Sequence, residues 1–293
     1  MDKISAIIVT WNAEKFLAKC LDSVFSQSIA PFEVFVVDNG STDKTIEIIK
    51  KTFPEVLLIE NKQNKGFCTA NNQAINKAKA DYILTLNSDI VLEPDYISKL
   101  LNYLKIDKSV GMVQGKFLRM DKKTIDCLGL KLGLFFRLFN IAEGKKDSTD
   151  FKATFEIFGP CAAAAVYRKE LISDIIYEDE VFDPKFFFLV EDFDLAWRAR
   201  NQGWKAMCVL RAVCYHYRDS SAHSTPFKQY LSFRNRYFLL IKNGNWKHLL
   251  LFIPGFFIYD LPRFVFMLFT NPFTLKAIVE VVYSLPELIR KRD

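Results

Sequence analysis

Apolar residues are not spread evenly along this chain. They fall into short runs such as Val34–Val37 in EVFVVDNGSTDKT (33–45), which ends abruptly on Asp38. KISAIIVT (3–10), FEVFVVD (32–38), EVLLIEN (55–61) and DYILTLNSD (81–89) share the pattern: brief, rich in β-branched residues and apolar at nearly every position. Runs of that kind predict strands buried on both faces. Between them the period lengthens. NAEKFLAKCLDSVFSQ (12–27) carries Phe16, Leu17, Cys20, Leu21, Val24 and Phe25 at helical spacing. STDKTIEIIKKTF (41–53) opens on a Ser/Thr/Asp cluster suited to capping, and CTANNQAINKAKA (68–80) predicts a third helix. Strands alternating with helices imply an α/β fold with a parallel sheet covered on both faces. Beyond about Gly115 the regularity fades into glycines and the polar loop EGKKDSTD (143–150). A strand and helix then resume in FGPCAAAAVYRKEL, followed by a helix in EDFDLAWRARNQGW ending at Gly203 and a strand in KAMCVLRAVCYHY.

Composition adds three constraints. The 293 residues suffice for one large domain with an appendage, and the net charge of +6 is too mild to indicate nucleic acid, though it suits an anionic lipid surface. Six cysteines without a CxxC pair indicate reduced thiols. MDKISAIIVT is too short and β-branched for a signal peptide, so a cytoplasmic location is expected. Among the 28 phenylalanines a late cluster stands out, in LLLFIPGFFIYDLPRFVFMLF (249–269), where Pro254, Asp260, Pro262 and Arg263 break up any spanning segment. Two readings fit: a helical hairpin packed on the domain, or an element lying in the membrane interface beside the basic tail LIRKRD.

The chemistry gathers at strand ends. In open parallel sheets ligands bind beyond the carboxyl ends of the strands, and Asp38 and Asp89 both stand there. Each could instead serve only as a cap, Asp38 with Gly40 and Asp89 for a helix starting near Pro94. The turn after the first strand, TWNAEKF, has no glycine, and no Walker sequence exists, so a phosphate ligand lacks a backbone cradle. Carboxylates facing a diphosphate make sense with a hard divalent cation between them.

The segments AIIVTWNAEKFLAKCLDSVFSQ, EVFVVDNGSTDKT, NKGFCTANNQAI, LTLNSDI, FDPKFFFLVEDFDLAWRARNQGW and YHYRDSS together resemble the inverting glycosyltransferases of family 2, with the GT-A fold, and in particular their rhamnosyltransferase-like branch. The resemblance covers roughly residues 4 to 240. It implies a GT-A domain over 1–240, with a nucleotide-sugar half (1–115) and an acceptor half (116–240), and a membrane-associated helical element over 241–293. It implies that Thr10 and Asp38 contact the nucleotide base, that Asn12 belongs to the same nucleotide site, and that Asn64 and Gly66 lie along the nucleotide. Asn87, Ser88 and Asp89 occupy the family's DxD site; Asn87 replaces the usual first aspartate and would face the ribose. Asp89 and His216 would ligate Mn2+ or Mg2+. Asp192 would be the general base, with Glu191 supporting it. The partners implied are a UDP- or dTDP-sugar, a glycan or polyprenyl-linked acceptor, and the inner face of the cell membrane.

Other residues carry open alternatives. Asp194 reads as a simple ion pair with Arg198 on a solvated helix face. His223 and His248 read as incidental. Trp197, Trp204 and Trp246 could stack on a sugar, pack in the core or face the membrane. Arg234 and Arg236 could approach a phosphate or form a basic helix face. Two rival enzyme classes fit less well: nucleotidyltransferases want a glycine-rich loop after the first strand, and glycosidases want two opposed carboxylates. A non-catalytic subunit keeping the fold is the remaining alternative.

Overall fold

The computed structural model describes residues 3–148, 153–218 and 223–292. The end of the 143–150 loop and residues 219–221 of the YHYRDSS motif lie outside the described residues. Each apolar run is a strand: β1 (Ile4–Thr10), β2 (Glu33–Asp38), β3 (Leu57–Glu60) and β4 (Tyr82–Asn87), linked by α1 (Leu17–Phe25), α2 (Thr45–Thr52) and α3 (Gly66–Ile75). However, β3, at the edge of the sheet, is not buried on both faces as expected, with Leu57 and Glu60 exposed. There follow β5 (Ile90–Leu92), α4 (Tyr96–Ile106), β6 (Val110–Arg119), β7 (Ile125–Cys127), β8 (Leu130–Leu132), β9 (Leu138–Asn140), β10 (Phe155–Ile157), β11 (Ala164–Arg168), α5 (Lys169–Ile175), α6 (Glu191–Asn201) and β12 (Lys205–His216). The chain ends in α7 (Thr225–Asn243), α8 (Trp246–Gly255), α9 (Leu261–Thr270) and α10 (Thr274–Arg290).

The ten-stranded sheet has the order β10-β12-β6-β11-β4-β1-β2-β3, with β5 on β12 and β7 on β6. From β4 to β3 it is parallel, as the apolar runs predict. The other half is mixed: β11 runs antiparallel to both β4 and β6, and β12 returns parallel to β6. The sheet is therefore less uniformly parallel than the first half of the sequence suggests. Successive strand side chains feed opposite faces, so Ile7, Val37 and Ile83 enter one core while Ile8, Val36 and Leu84 enter the other.

Register fixes the working edge. Thr10 pairs with Asp38 and Val9 with Asn87, so three strands end together. The chain builds β1, β2 and β3 outward and then crosses back to β4 on the far side of β1, making the crevice of a topological switch. The first predicted helix begins five residues late. Asn12 has φ 52°, and residues 12–14 instead bond the loop that opens α2, with the Ala13 N–H on Thr45 Oγ1 at 2.9 Å and the Thr42 N–H on Asn12 Oδ1 at 2.8 Å.

Residue 240 falls inside α7, which packs on both α6 and α10. The prolines of the apolar segment do not break it: α8, a π-helical turn at Phe256–Asp260 and α9 run on as one 25-residue helix, Trp246–Thr270, long and apolar enough by length and composition to cross a membrane. It is neither interrupted nor folded into a tight hairpin. Pro262 sits in the first turn of α9, where its missing N–H costs little, and the wide turn absorbs the disruption left by Pro254.

Candidate active site

A cavity of about 980 Å³ opens at the carboxyl ends of β1 and β4 and is lined by Thr10, Asn64, Gly66, Asn87, Ser88, Asp89, Glu191, Asp192 and His216. The fold therefore brings together all but two of the residues that the family resemblance assigns to the nucleotide, the metal and the base. The exceptions are Asp38 and Asn12, which are not in the wall. Asp38 is wholly buried and turned into its own loop: Oδ2 accepts the Gly40 and Ser41 N–H groups at 3.0 and 2.9 Å, and Oδ1 accepts the Ser41 hydroxyl. It makes the turn for which Gly40 supplies φ +78°. Asn12 is bound to the same loop, and Asn39 takes the wall position instead. Thr10 Oγ1 is buried with no hydrogen-bond partner among the described residues, a polar atom left over at the strand end. Gly66 is required by shape as well as by its φ of +85°: a Cβ there would stand 2.5 Å from the Phe187 ring.

On the opposite side, Asp89 does not cap the following helix, whose N-cap position is held by Asp95. Its Oδ2 stands 3.2 Å from His216 Nε2, and His216 Nδ1 stands 2.8 Å from Asp126 Oδ2. Burial opposes a charge on this imidazole, but its hydrogen bonds to Asp126 and Asp89 prevail and raise its pKa to about 10. Among the described residues no group of three or more His, Cys, Asp and Glu side chains is placed to hold a metal ion. Two donors do fit one edge of an octahedral site: at bond lengths of about 2.1 Å, neighbouring donors stand about 3 Å apart. The remaining positions of such an ion are ordinarily filled by substrate phosphates and water.

The acidic pair sits on a strained approach. Phe187, Leu189 and Val190 have φ of 66°, 68° and 77°, a left-handed run that bulky and β-branched residues rarely adopt. α7 holds it in place. Asn235 Nδ2 lies 2.8, 3.0 and 2.7 Å from the carbonyls of Phe186, Phe188 and Leu189, and the Arg234 guanidinium donates to those of Lys185 and Phe186. The run delivers Glu191 and Asp192 into the cavity at the start of α6. Burial raises the Asp192 pKa to about 6, against the lowering effect of the Phe193 and Ala162 N–H groups. Burial and the neighbouring Asp192 push Glu191 well above the carboxylate range, and its Oε2 is buried without a partner among the described residues.

Several expectations are corrected here. Asp194 does pair with Arg198, at 3.0 Å, yet neither is solvated: Asp194 is wholly buried and also bonds Lys242 and Asn243. The face of α6 that looks polar is covered by α7. Arg234 and Arg236 are likewise buried, Arg234 on Glu280 and Arg236 on Asp260 and the Phe135 and Phe136 carbonyls, so neither faces a phosphate or solvent. Trp197 packs in the core against Phe136 and Phe158, Trp204 bonds Asp174, and Trp246 is exposed.

Trp11 is the tryptophan among several aromatic side chains of the cavity wall, and its ring centroid lies 4.7 Å from His223; that imidazole stacks in turn on Phe188 at 4.7 Å. Position alone, directly after Thr10 at a strand end, could have marked Trp11. His223 is thus part of the cavity wall, while His248 completes a capping box with Asn245 at the start of α8. Nothing in the sequence around Asp126 marked it.

A sheet with a switch-point cavity, carrying a carboxylate–imidazole pair and a raised carboxylate, has the parts of an acid–base ligand site. The family described as "Glycosyl transferase family 2" matches residues 5–176, more than half of the chain, and the chain belongs to that family. Glycosyltransferase GlyA of Streptococcus pneumoniae serotype 4 is 28% identical over 203 residues, covering 68% of this chain and 25% of that protein. A dolichyl N-acetyl-alpha-D-glucosaminyl phosphate 3-beta-D-2,3-diacetamido-2,3-dideoxy-beta-D-glucuronosyltransferase of Methanococcus voltae is 25% identical, covering 87% of this chain and 79% of that protein. The chain therefore spans about a quarter of GlyA's own length but most of the archaeal protein's. The crystal structure of S. aureus TarS 1–349 in complex with UDP shares the fold, at a TM-score of 0.58 and 20% identity, covering 94% of this chain and 75% of that one. The fold is thus GT-A, and these relatives support family 2 without singling out its rhamnosyltransferase-like branch.

Proposed function

We propose that the chain is a metal-dependent, inverting glycosyltransferase that moves a sugar from a UDP- or dTDP-sugar to a hydroxyl of a glycan or lipid-linked acceptor, with Asp192 as general base. The observation carrying this reading is that one cavity joins Asp192 to the Asp89–His216 pair, drawn from a helix start and two strand ends. The nucleoside lies along Thr10, Asn64 and Gly66, where the unpartnered Thr10 hydroxyl offers a contact, and Asn87 and Ser88 continue toward the ribose. Asp38, wholly buried on its own turn, lies behind the wall and shapes the loop that presents Asn39 to the cavity. Uracil and thymine differ only by a methyl group, so the reading covers both donors. TarS, of the same fold, is a UDP-bound precedent.

Asp89 and His216 would hold Mn2+ or Mg2+, which when bound neutralises charge on the departing diphosphate. Asp192 takes the proton from the acceptor hydroxyl while that oxygen attacks the anomeric carbon. The bond from that carbon to the diphosphate oxygen breaks with its electron pair on the leaving group. A single displacement of this kind inverts the centre. With a pKa of about 6, Asp192 is ionised at neutral pH yet basic enough to assist. Burial and the neighbouring Asp192 favour the protonated form of Glu191, which can donate a hydrogen bond to the acceptor.

The same reading places the protein peripherally on the inner face of the cell membrane. Gly255, Asp260 and Met267 of the long apolar helix are buried against the domain, Asp260 on Arg236, whereas Leu250, Phe257, Phe266 and Phe269 are exposed. A helix held along the domain by its middle lies in the lipid interface and does not cross it. Calorimetric titration with UDP, dTDP and GDP, with and without Mn2+, tests the core of the proposal. Metal-dependent binding of one pyrimidine diphosphate, lost in Asp89→Ala, is expected. Absence of binding by the folded protein overturns the transferase reading in favour of a non-catalytic subunit.

A further inference from the structure

We infer that Asp126 is the positioning residue of the cation site: it fixes the tautomer and the aim of His216, so that Nε2 is presented beside Asp89. This rests on the reading that Asp89 and His216 hold the metal. The argument begins with the strands. β12 and β7 pair with opposite edges of β6. In the β6–β7 ladder Phe117 pairs with Cys127 and Leu118 with Ile125, so Asp126 is the extra residue of a β-bulge. Bulges re-aim a side chain out of the regular alternation, and they recur beside active sites. Here the bulged carboxylate reaches His216 at the end of β12.

The geometry then has a direction. Asp126 Oδ2 lies 2.8 Å from Nδ1, which makes Nδ1–H the donor to it and turns Nε2, 3.2 Å from Asp89 Oδ2, to face a cation beside that carboxylate. Metal-bound histidines commonly donate their second N–H to a carboxylate in this way, which orients the ring and raises its basicity. Asp126 is held in turn, its Oδ1 taking the Nε–H of Arg218, whose guanidinium also binds Glu143 at 3.0 Å. Asp126 is 1% exposed, and all three of these side chains border the cavity. A buried carboxylate satisfied on both oxygens, with one turned to the imidazole, is a built support for a ligand.

The test is titration with Mn2+ followed by the electron paramagnetic resonance of the free ion, with UDP present and no turnover. Asp126→Ala should weaken Mn2+ binding about 10- to 100-fold. Asp126→Asn, which keeps an acceptor for Nδ1–H, should recover part of that loss, which a general structural defect would not do. Thermal unfolding identifies which variants are folded, and Asp126→Asn keeps the question open to refutation if the alanine variant is not. His216→Ala separates the two layers. If it leaves Mn2+ affinity unchanged, the metal reading of His216 fails. If it abolishes binding while both folded Asp126 variants stay within twofold of the parent, only the positioning role is overturned.

Discussion

Replacing Asn235 by alanine withdraws the donor that ties α7 to the left-handed run ahead of the acidic pair. Asn235 is wholly buried, and its Nδ2 serves the carbonyls of Phe186, Phe188 and Leu189. The Phe186 carbonyl keeps the Arg234 guanidinium at 3.2 Å, so two carbonyls lose their side-chain donor. Leaving a buried polar group unpaired costs about 1–3 kcal/mol, and Phe188 and Leu189 are half-buried, so the loss comes to about 3 kcal/mol. The strain of three residues at positive φ, of order 1–3 kcal/mol each, is then no longer opposed at that point. Urea unfolding followed by circular dichroism measures the change, and a fall in midpoint temperature of about 5–10 °C should accompany it. A loss below about 0.5 kcal/mol would show that Asn235 does not hold the run, and the account of how Asp192 is aimed would fall with it.

Four further outcomes follow from the same geometry. With Asp192 at a pKa of about 6, kcat/KM for the donor selected by calorimetry should fall about tenfold from pH 7 to pH 5 and vanish in Asp192→Asn; a flat profile over that range refutes the base assignment. Lys242→Met, which strips Asp183 and Asp194 of a buried cation, should cost about 3–5 kcal/mol in urea unfolding, and a neutral result refutes the pairing. Against burial, Lys242 and Arg198 hold Asp194 down at about 2, so its contribution to stability is complete above about pH 4 and is lost as pH falls toward 2; acid unfolding of Lys242→Met should lack part of that slope. Finally, the protein should float with anionic lipid vesicles, and serine at Phe257, Phe266 and Phe269 should release it; a parent protein that never floats refutes the interfacial helix.

Much of the fold is written locally. The runs ending at Thr10, Asp38 and Asn87 are apolar at consecutive positions, which only a strand buried on both faces requires, and the alternation with helical spacing makes their partners parallel. Once parallel, their chemistry lands on one edge, so Asp38 and Asp89 could be picked out together from a distance of some fifty positions, whereas Thr10 and Asn87 came from the family resemblance. Asp192 was legible in that second way, from the sequence resemblance around VED. The antiparallel insertion of β11 was not legible, because its Ala-rich run looks the same in either direction.

What the sequence by itself determined, then, is the strand-and-helix rhythm and the residue types at strand ends, since both depend on contiguous side chains and their periodicity. The tertiary structure alone decided which charges are buried and which meet. Asp194, Arg234 and Arg236 look like surface charges by helical spacing until α7 covers one set and α10 and the apolar helix cover the other. Asp126 and His216, ninety residues apart, touch only because a bulge shifts one position of β7 beside β6, and Asp38 turns away from the cavity because its own loop N–H groups reach it first. Side-chain pairing depends on register and on how elements pack, and neither leaves a periodic signal in the chain.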